Sequence, residues 1–529
     1  MKWNTLQHNG VLFPDKYRPH HIKLVYNGTP IKLSPESEEV ATFYAAIINT
    51  DYVKNPVFNE NYFNDFKSVL RKNDPVADST IKTLKNCDFT KIYNYLEEKK
   101  LEKKNLSKDE KKKIKEDKEK QDEKYMYVTV DGKKEKIGNF RIEPPGLFRG
   151  RGNHPKTGSL KMRVLPEQII INIGDSAKIP APPKGHNWGD VVHDHNATWL
   201  AKWSENINGD IKYVWLGAGS TFKNESDLKK FEKSRELKVT VDTIRENYKT
   251  DMTSMYTNIR QRATALYLID NLALRAGNEK GEDKADTVGT CTLKVKHVTL
   301  ESPNFLIFDF LGKDSIRYTN RVQVNIQVYK NIKLFKMEPK SDDDLLFDKL
   351  NTTILNNYLN SLLEGLTAKV FRTFNASYTF QKELKKNTKK NMSTSEKLAA
   401  YNLSNKEVAV LCNHQKAVSK THDAQIIKMK DKIKELKDTL KELKKEDQSE
   451  KTDKKIEKIK LRIKEAEIKI KVKDDNKCVA LGTSKTNYLD PRISVAWSYK
   501  NDIPLDKVFP KTLQNKFQWA LEVDPKWEY

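Results

Sequence analysis

The sequence has few cysteines, and their spacing gives no covalent framework. The four cysteines, Cys87, Cys291, Cys412 and Cys478, lie far apart and form no CxxC pair. Neither a disulfide scaffold nor a cysteine-based zinc site fits this distribution. The cysteines therefore predict a protein of a reducing compartment.

Long apolar runs and nucleotide-binding motifs are also absent. No stretch of about 18 apolar residues occurs, which argues against a membrane-spanning helix. The N-terminal segment lacks the apolar core of a signal peptide. The sequence has no Walker loop, no glycine-rich dinucleotide motif and no nucleophile elbow, so ATP hydrolysis and hydride transfer lose support.

The nearest candidate for a metal site is the segment in which His193 and His195 flank Asp194. It has no third ligand at a useful spacing, so a surface loop is the preferred interpretation. The sequence therefore predicts no metal and no other cofactor.

Positive charge is what the sequence has in excess. The chain carries a formal net charge of +24 over 529 residues, with 37% apolar and 32% charged residues. This length exceeds what one hydrophobic core serves, so two or more domains are expected. Part of the lysine excess fits ordinary solubility, but a charge of this size also attracts polyanions. Nucleic acid is the predicted partner, and a membrane surface is not.

The pattern of apolar and charged residues changes along the chain. Residues 97–123 are nearly all Lys, Glu and Asp, which predicts a solvated helical connector. Residues 125–220 indicate strands and loops, including a strand that enters a turn at 127–132. The pattern predicts helices over 228–274, strands over 288–335 and helices again over 343–420.

Residues 424–475 carry two heptad seams. The apolar positions are Ile426, Met429, Ile433, Leu436, Leu440 and Leu443, then Ile456, Ile459, Ile463, Ala466 and Ile470. The polar stretch 446–453 between them predicts a turn, and each arm would be about 30 Å long. A dimerisation coiled coil is the alternative, but the short arms and the central break favour an antiparallel hairpin within one chain.

Candidate chemical residues lie in separate short segments: Arg275, Lys313, Arg372, His414 and Tyr488. Taken singly, none of them stands out, because any one of 21 tyrosines is usually a packing residue. Arg149 and Arg151 lie among glycines, which lets a main chain approach a phosphate backbone, but a surface turn explains them equally well.

Taken together, these segments resemble those of the eukaryotic type IB DNA topoisomerases, both in their residues and in their order along the chain. The resemblance covers essentially the whole chain. The most specific segments are 144–155, 272–280, 310–317, 368–373 and 484–492.

The resemblance implies an enzyme that nicks one strand of duplex DNA and reseals it, relaxing positive and negative supercoils without ATP or metal. Tyr488 would be the nucleophile that forms a 3′-phosphotyrosyl intermediate. Arg275, Arg372 and His414 would bind the scissile phosphate, and Lys313 would be the general acid. No base is identified for the tyrosine, and Asp490 is not expected to be one.

The resemblance also implies contacts with DNA and with drugs of the camptothecin type. The DNA-binding positions would be Arg149, Arg151, Asn153, Lys156, Asp314 and Asn487. The drug-binding candidates would be Phe148, Arg151, Asp314 and Asn487.

The implied fold is an α+β multidomain clamp. It has a mixed α/β cap lobe at 1–220 and a mainly α catalytic lobe, of the type shared with tyrosine recombinases, at 221–423. The coiled-coil linker hairpin would occupy 424–475, and a C-terminal domain with the nucleophile would occupy 476–529. The protein would be a nuclear monomer, although the family's long basic N-terminal tail is absent from this sequence.

Some positions depart from the family, and two other functions remain open. The hairpin is shorter than in many relatives, and Thr486 and Lys416 stand where many carry leucine and arginine, which leaves drug sensitivity open. A tyrosine recombinase would use the same residue types but would need paired DNA sites and self-association. A basic DNA-binding scaffold with a coiled-coil arm would explain charge and heptads alone.

Overall fold

The computed structural model describes residues 1–279, 281, 284–337, 339–445 and 449–529. They form two compact units. The first consists of Met1–Lys223 together with residues 281 and 284–286, and the second of Asn224–Glu279 and Thr287–Tyr529.

Short strands and helices make up the first unit. The strands are β1 Leu6–His8, β2 Leu24–Tyr26, β3 Thr29–Ile31, β4 Cys87–Asp88, β5 Tyr127–Val130, β6 Lys133–Lys136, β7 Gly146–Leu147, β8 Leu160–Lys161, β9 Ile170–Asn172, β10 Asp190–Val192, β11 Trp199–Ser204 and β12 Ile211–Trp215. The helices are α1 Pro35–Ala45, α2 Pro56–Asn73, α3 Pro75–Thr80, α4 Thr90–Asn105 and α5 Lys108–Glu123. The strands pair in the orders β1-β5-β6, β3-β2-β4, β7-β8 and β10-β9-β11-β12.

Two separate hydrophobic clusters support this unit. One lies between α1 and α2, where Phe58, Tyr62, Phe66 and Leu70 recur every fourth residue and are fully buried. The other lies among the sheets and includes the alternating Ile169, Ile171 and Ile173. The predicted strand and turn at 127–132 are confirmed, because β5 ends at Val130 and Asp131 and Gly132 both have positive φ.

The charged connector is helical and solvated, as predicted. It consists of the end of α4 and the whole of α5, and Asp122 is the buried position of α5. Ser107 and Glu110 form a reciprocal capping box that begins α5. α5 therefore packs little against the rest of the unit, and its local support is this cap and its own charge pairs, Lys112–Glu116 at 3.8 Å and Lys115–Glu119 at 3.7 Å.

The second unit is mainly helical and contains one antiparallel sheet, β13-β14-β15, among the described residues. Its strands are β13 Val298–Glu301, β14 Phe305–Leu311 and β15 Arg317–Gln323. Its helices begin with α6 Thr221–Asp251, whose first three residues belong to the first unit. The others are α7 Thr257–Leu272, α8 Ile326–Phe335, α9 Thr352–Leu362, α10 Ala368–Asn387, α11 Thr394–Leu411, α12 His422–Leu443, α13 Glu450–Asp475, α14 Leu481–Asn487, α15 Pro491–Lys500, α16 Leu505–Val508 and α17 Lys511–Lys516.

One large hydrophobic cluster joins the helices of this unit to the inner face of its sheet. Leu306 and Phe308 on β14 are fully buried, as is Phe371 on α10. The strand prediction for 288–335 is right for β13 to β15. It is wrong for 290–297, which contain two short 3-10 helices, and for 326–335. The latter segment forms α8, since Val328, Ile332 and Phe335 share one face at helical spacing.

The two heptad segments form α12 and α13, which pack against each other. His422 contacts Asp474 at 3.1 Å and Lys437 contacts Glu467 at 2.9 Å, so the two helices run in opposite directions. The predicted turn falls partly on residues 446–448, which lie outside the described residues. The prediction is wrong for the second half of this turn, because α13 already begins at Glu450 and is capped by Ser449.

Two further findings concern the described residues alone. None of their helices combines the length and apolarity that a membrane crossing requires. No group of three or more His, Cys, Asp or Glu side chains within the described ranges is arranged to hold a metal ion.

Candidate active site

Arg275 lies in an extended segment directly after α7. Ala273 ends that helix with a left-handed conformation at φ 48°, which turns the chain away. The carbonyl of Arg275 then accepts from the amide of Thr290 at 2.8 Å, which fixes the backbone of the segment. Nη2 of Arg275 lies 3.4 Å from the hydroxyl of Tyr488. The guanidinium therefore reaches the candidate nucleophile from a pinned backbone.

A close crossing of two chains explains the glycine in this segment. Gly277 has φ +80°, and a Cβ there would come within 2.5 Å of the backbone of Gly289. Glycine tolerates both the positive φ and the approach. The segment after Arg275 is thereby held against the segment that leads into residues 290–292.

Arg372 is the most buried cation of the group, with 4% of its surface exposed. It projects from α10, donates through Nη1 to the carbonyl of Ala273 and donates through Nη2 to the carbonyl of Cys412. Its Nε has no acceptor among the described residues. Arg372 thus ties the ends of α7 and α11 together and retains one unsatisfied donor.

His414 follows α11 and is 6% exposed. Its Nδ1 lies 2.8 Å from the hydroxyl of Ser484, and its Nε2 lies 3.5 Å from Nη2 of Arg372. Burial, and then the charges of Arg372 and Arg275, lower the pKa of His414 to about 3. The imidazole is therefore neutral at physiological pH and carries a single ring proton.

Tyr488 directly follows α14, and its amide donates to the carbonyl of Ser484 at 2.9 Å. Its ring stacks on His414 with centroids 5.4 Å apart, and the guanidinium of Arg372 lies 5.0 Å from the ring centroid. The ring is half-buried and packs against the core. Four predicted residues from four separate segments therefore meet: Arg275, Arg372, His414 and Tyr488.

Ser377 fixes the backbone around Tyr488 and was missed by the sequence analysis. Its hydroxyl donates to the carbonyl of Tyr488 at 3.0 Å and accepts from the amide of Asp490 at 3.0 Å. Ser377 is fully buried on α10, the helix that also carries Arg372. One rigid helix therefore positions both the arginine and the tyrosine backbone. Only its place on the same helix as Arg372 distinguishes this serine in the sequence.

Asp490 belongs to an ion pair. It is fully buried, and Arg492 binds both of its oxygens at 3.0 and 2.7 Å. Arg492 also contacts Glu232 at 2.6 Å. Burial raises the pKa of Asp490, opposed by Arg492. Because Arg492 binds both carboxylate oxygens, Asp490 anchors the segment that follows Tyr488.

Lys313 lies in the turn between β14 and β15 of the same unit. The turn bends through two left-handed residues, Asp314 at φ 66° and Ser315 at φ 57°. Lys313 and Asp314 are exposed. The side chain of Lys313 makes no hydrogen bond or ion pair with another described residue. Among the described residues, the structure therefore shows no hydrogen bond or ion pair between Lys313 and the other four predicted residues.

The predicted DNA-binding segment of the first unit is a tightly closed loop. The amide of Phe148 donates to Ser159 and the amide of Gly158 to Phe148, both at 2.8 Å. Gly158 has φ +92°, and a Cβ there would lie 2.1 Å from the carbonyl oxygen of Phe58. This position therefore requires glycine.

The side chains of this loop divide into exposed and anchored ones. Arg149, Arg151 and Asn153 are exposed, and the guanidinium of Arg149 lies 5.1 Å from the ring centroid of Tyr52. Phe148 packs edge-on against His154 at 4.8 Å, and Nζ of Lys156 donates to the carbonyl of Ile207 at 2.8 Å. Lys156 thus also anchors the loop.

The remaining candidates have local partners. Asn487 is exposed and donates to the carbonyl of Thr483 at 3.1 Å. His195 lies between the carbonyl of Trp3 at 3.0 Å and Asp175 at 2.7 Å, and His193 contacts the carbonyl of Ile173 at 2.7 Å. These histidines hold a loop of the first unit, in line with the preferred interpretation of the segment 193–195.

The sequence matches three family descriptions along its length. Residues 1–216 match the DNA-binding fragment of eukaryotic DNA topoisomerase I, residues 219–447 its catalytic core and residues 460–529 a C-terminal topoisomerase domain. The chain is 46% identical to DNA topoisomerase 1 of Schizosaccharomyces pombe, over 100% of this chain and 76% of the relative. The chain belongs to the eukaryotic DNA topoisomerase I family.

Other members of the family show similar identity over the whole chain. DNA topoisomerase 1 alpha of Arabidopsis thaliana is 50% identical, with 100% of this chain and 59% of the relative covered. DNA topoisomerase 1 of Homo sapiens is 46% identical, with 100% of this chain and 72% of the relative covered. Family membership makes the chain an isomerase of the type IB class that acts on DNA and relaxes it. The mixed α/β fold is consistent with this family.

Proposed function

We propose that Tyr488 is the nucleophile of this topoisomerase and that Arg275, Arg372 and His414 bind the scissile phosphate. In the same proposal, Lys313 is the general acid. The support comes from the meeting of the first four residues in one pocket of the second unit.

The reaction exchanges one phosphodiester for another. The phenolic oxygen of Tyr488 bonds to phosphorus, and the bond from phosphorus to the 5′ oxygen breaks on the opposite side. The phenolic proton passes to water, and the leaving 5′ oxygen takes a proton from Lys313. The products are a 3′-phosphotyrosyl ester and a 5′-hydroxyl. Because the new ester is close in energy to the old one, the 5′-hydroxyl can reverse the step without ATP.

The unsatisfied Nε of Arg372 is the observation that carries the proposal. A buried guanidinium donor without an acceptor is costly, and such a group usually has a functional reason. A phosphate oxygen is the acceptor that fits, since guanidinium groups bind phosphate with fixed, paired donors. With His414 neutral, the pocket holds two permanent cations and one neutral donor. This arrangement suits the negative charge that develops on the nonbridging oxygens.

The proposal assigns a different kind of role to Lys313. Its exposure leaves the ammonium accessible to a DNA strand that brings the 5′ oxygen to the β14–β15 turn. No metal or nucleotide enters any step of the proposal, since arginine and lysine supply the charges and the proton.

Contacts outside the pocket complete the proposal. Arg149, Arg151, Asn153 and Lys156, with Asp314 and Asn487, would contact DNA beside the cleavage site. Phe148, Arg151, Asp314 and Asn487 would be the positions that meet intercalating drugs. The domain limits 1–220, 221–423, 424–475 and 476–529, the clamp, the monomeric state and the nuclear location belong to the proposal, because they follow from the family resemblance.

The helix pair α12–α13 would act as a coiled-coil linker beside downstream DNA. Its lysines would slow the rotation of the nicked duplex by attraction to phosphate. Deletion of residues 428–472 should therefore change processivity and its salt dependence more than the rate of cleavage. An unchanged salt profile of plasmid relaxation would remove this part of the proposal.

Plasmid relaxation tests the assignment of the nucleophile. Negatively supercoiled plasmid is incubated in EDTA without ATP with the wild type, with Tyr488→Phe and with Tyr378→Phe, a control for an exposed tyrosine on α10. Loss of the nucleophile should lower relaxation at least about a thousandfold. Relaxation by Tyr488→Phe at the wild-type rate would disprove the assignment.

The same assay separates the alternatives. A tyrosine recombinase would need two DNA sites and an assembled complex, so cleavage of a duplex with one site by one molecule argues against it. A scaffold protein would leave no DNA covalently attached after denaturation, and its binding would fall with salt at a logarithmic slope of about 0.9 per phosphate contact.

A further inference from the structure

Ser484 is a buried hydroxyl next to a catalytic candidate, and the steps proposed above give it no role. It is fully buried, and its Oγ lies 2.8 Å from Nδ1 of His414. Its carbonyl accepts the amide of Tyr488 at 2.9 Å. The short helix α14 therefore presents Ser484 to the histidine, and Tyr488 follows one helical turn later.

The proton of His414 can lie on either ring nitrogen, and the choice decides what the ring can do. A neutral imidazole has one N–H donor and one bare acceptor. Phosphate oxygens offer only acceptors, so the ring can assist them only with the proton on Nε2. Nε2 is the nitrogen on the side of Arg372, and Nδ1 is the one on the side of Ser484.

Arg372 alone would favour the unproductive arrangement. Its Nη2 is a donor 3.5 Å from Nε2, and a guanidinium has no acceptor. Nε2 would therefore present its lone pair to the arginine, with the proton on Nδ1. That tautomer would turn a lone pair toward the phosphate oxygens and repel them.

We propose that Ser484 is a positioning residue that keeps the proton of His414 on Nε2 by donating its own hydroxyl proton to Nδ1. The inference rests on the proposed role of His414 as a phosphate donor. A hydroxyl suits this position because it is both donor and acceptor, and its burial leaves it few other partners. Ser484 and Tyr488 then act together, because the packing of α14 determines both the tautomer of His414 and the position of Tyr488.

The tautomer can be observed directly in the full-length chain. The protein has ten histidines, so selective ¹⁵N-histidine labelling gives a small set of imidazole signals, and His414→Gln identifies the one of interest. The Tyr488→Phe background allows a short duplex to be bound without cleavage. We expect a protonated Nε2 and a bare Nδ1 with Ser484 present. In Ser484→Ala, at least part of the population should carry the proton on Nδ1.

Cleavage rates give the second measurement, in chains that retain Tyr488. Ser484→Ala should slow single-turnover cleavage roughly 10- to 100-fold, less than the loss of a transition-state donor itself. Ser484→Cys keeps a donor at this position, although a weaker and larger one. Its rate should lie between those of the wild type and Ser484→Ala, and it replaces the alanine variant if that variant is unstable. Thr486→Ala is the matched control, because its hydroxyl lies on the same helix and donates to the carbonyl of Gly482 at 2.9 Å, with no hydrogen bond to His414.

The outcomes separate this inference from the proposed function. An unchanged tautomer and rate in Ser484→Ala, with inactive His414→Ala and Tyr488→Phe, would overturn the role of Ser484 alone. Normal cleavage by His414→Ala or Tyr488→Phe would overturn the proposed function and this inference with it.

Discussion

The pocket around Arg372 and the turn that carries Lys313 belong to the same unit but hold their cations differently. Arg372 is 4% exposed and donates to two backbone carbonyls, and His414 is bonded to Ser484. Lys313 is exposed on a turn of two left-handed residues, and no described side chain fixes it.

In the proposed function, this difference corresponds to two tasks of one reaction. Charge that develops on phosphate is best met by donors fixed before the substrate arrives, because they need no reorganisation. Burial of such donors is costly, and the hydrogen bonds of the pocket offset that cost. Delivery of a proton requires a group that can approach a leaving atom. The comparison therefore predicts that pocket variants lose both stability and catalysis, whereas turn variants lose catalysis alone.

The largest effect within this comparison is expected for Arg372→Lys. Lysine keeps the charge but cannot reach Ala273, Cys412 and a phosphate at once. Single-turnover cleavage should fall at least about 100- to 1000-fold, and thermal unfolding should shift to lower temperature. Lys382→Ala, an exposed change on the same helix, is the control that should change neither. Wild-type cleavage by Arg372→Lys would mean that a fixed guanidinium is unnecessary.

The next effect concerns Lys313→Ala, measured on two substrates. With a normal 5′ oxygen, cleavage should fall about 100-fold or more, since an alkoxide leaves poorly without a proton. On a substrate with sulfur in place of the 5′ oxygen, Lys313→Ala should cleave at nearly the wild-type rate, because a thiolate leaves without being protonated. The free energy of unfolding should change by less than about 0.5 kcal/mol, as for other surface changes.

The exposed Lys333→Ala on α8 is the matched control for charge. If the sulfur substrate is slowed as much as the oxygen substrate, Lys313 does not act as the general acid. A large loss of stability would instead place Lys313 with the pocket residues and remove the contrast.

Regular helices and the candidate site differ in how far the sequence predicted them. Regular patterns sufficed for α12 and α13, whose heptad positions recur, and a run of charged residues sufficed for α5. The candidate residues were predicted by the family resemblance, and their meeting depends on packing between distant segments. Ser377 and Ser484 could not be singled out, because the role of a serine depends on the hydrogen-bond partners of its hydroxyl, and these come from distant segments.

The smallest effect concerns the protonation of His414 and is seen in stability. Burial and the neighbouring arginines lower its pKa from 6.5 to about 3 in the folded chain. The unfolded chain binds this proton near pH 6.5, and the folded chain only near pH 3. The contribution of the neutral ring to the free energy of unfolding is therefore complete above about pH 6.5 and is lost progressively as the pH falls toward 3.

Denaturant unfolding between pH 7 and pH 4 measures this contribution. His414→Gln cannot titrate, so its free energy of unfolding should fall less steeply with decreasing pH than that of the wild type. His21→Gln replaces an exposed histidine and should follow the wild-type slope. If the free energy of unfolding fell equally with pH in His414→Gln and in the wild type, the folded chain would bind a proton on His414 as readily as the unfolded chain does. The ring would then be no fixed neutral donor, and the contrast between pocket and turn would rest on Arg372 alone.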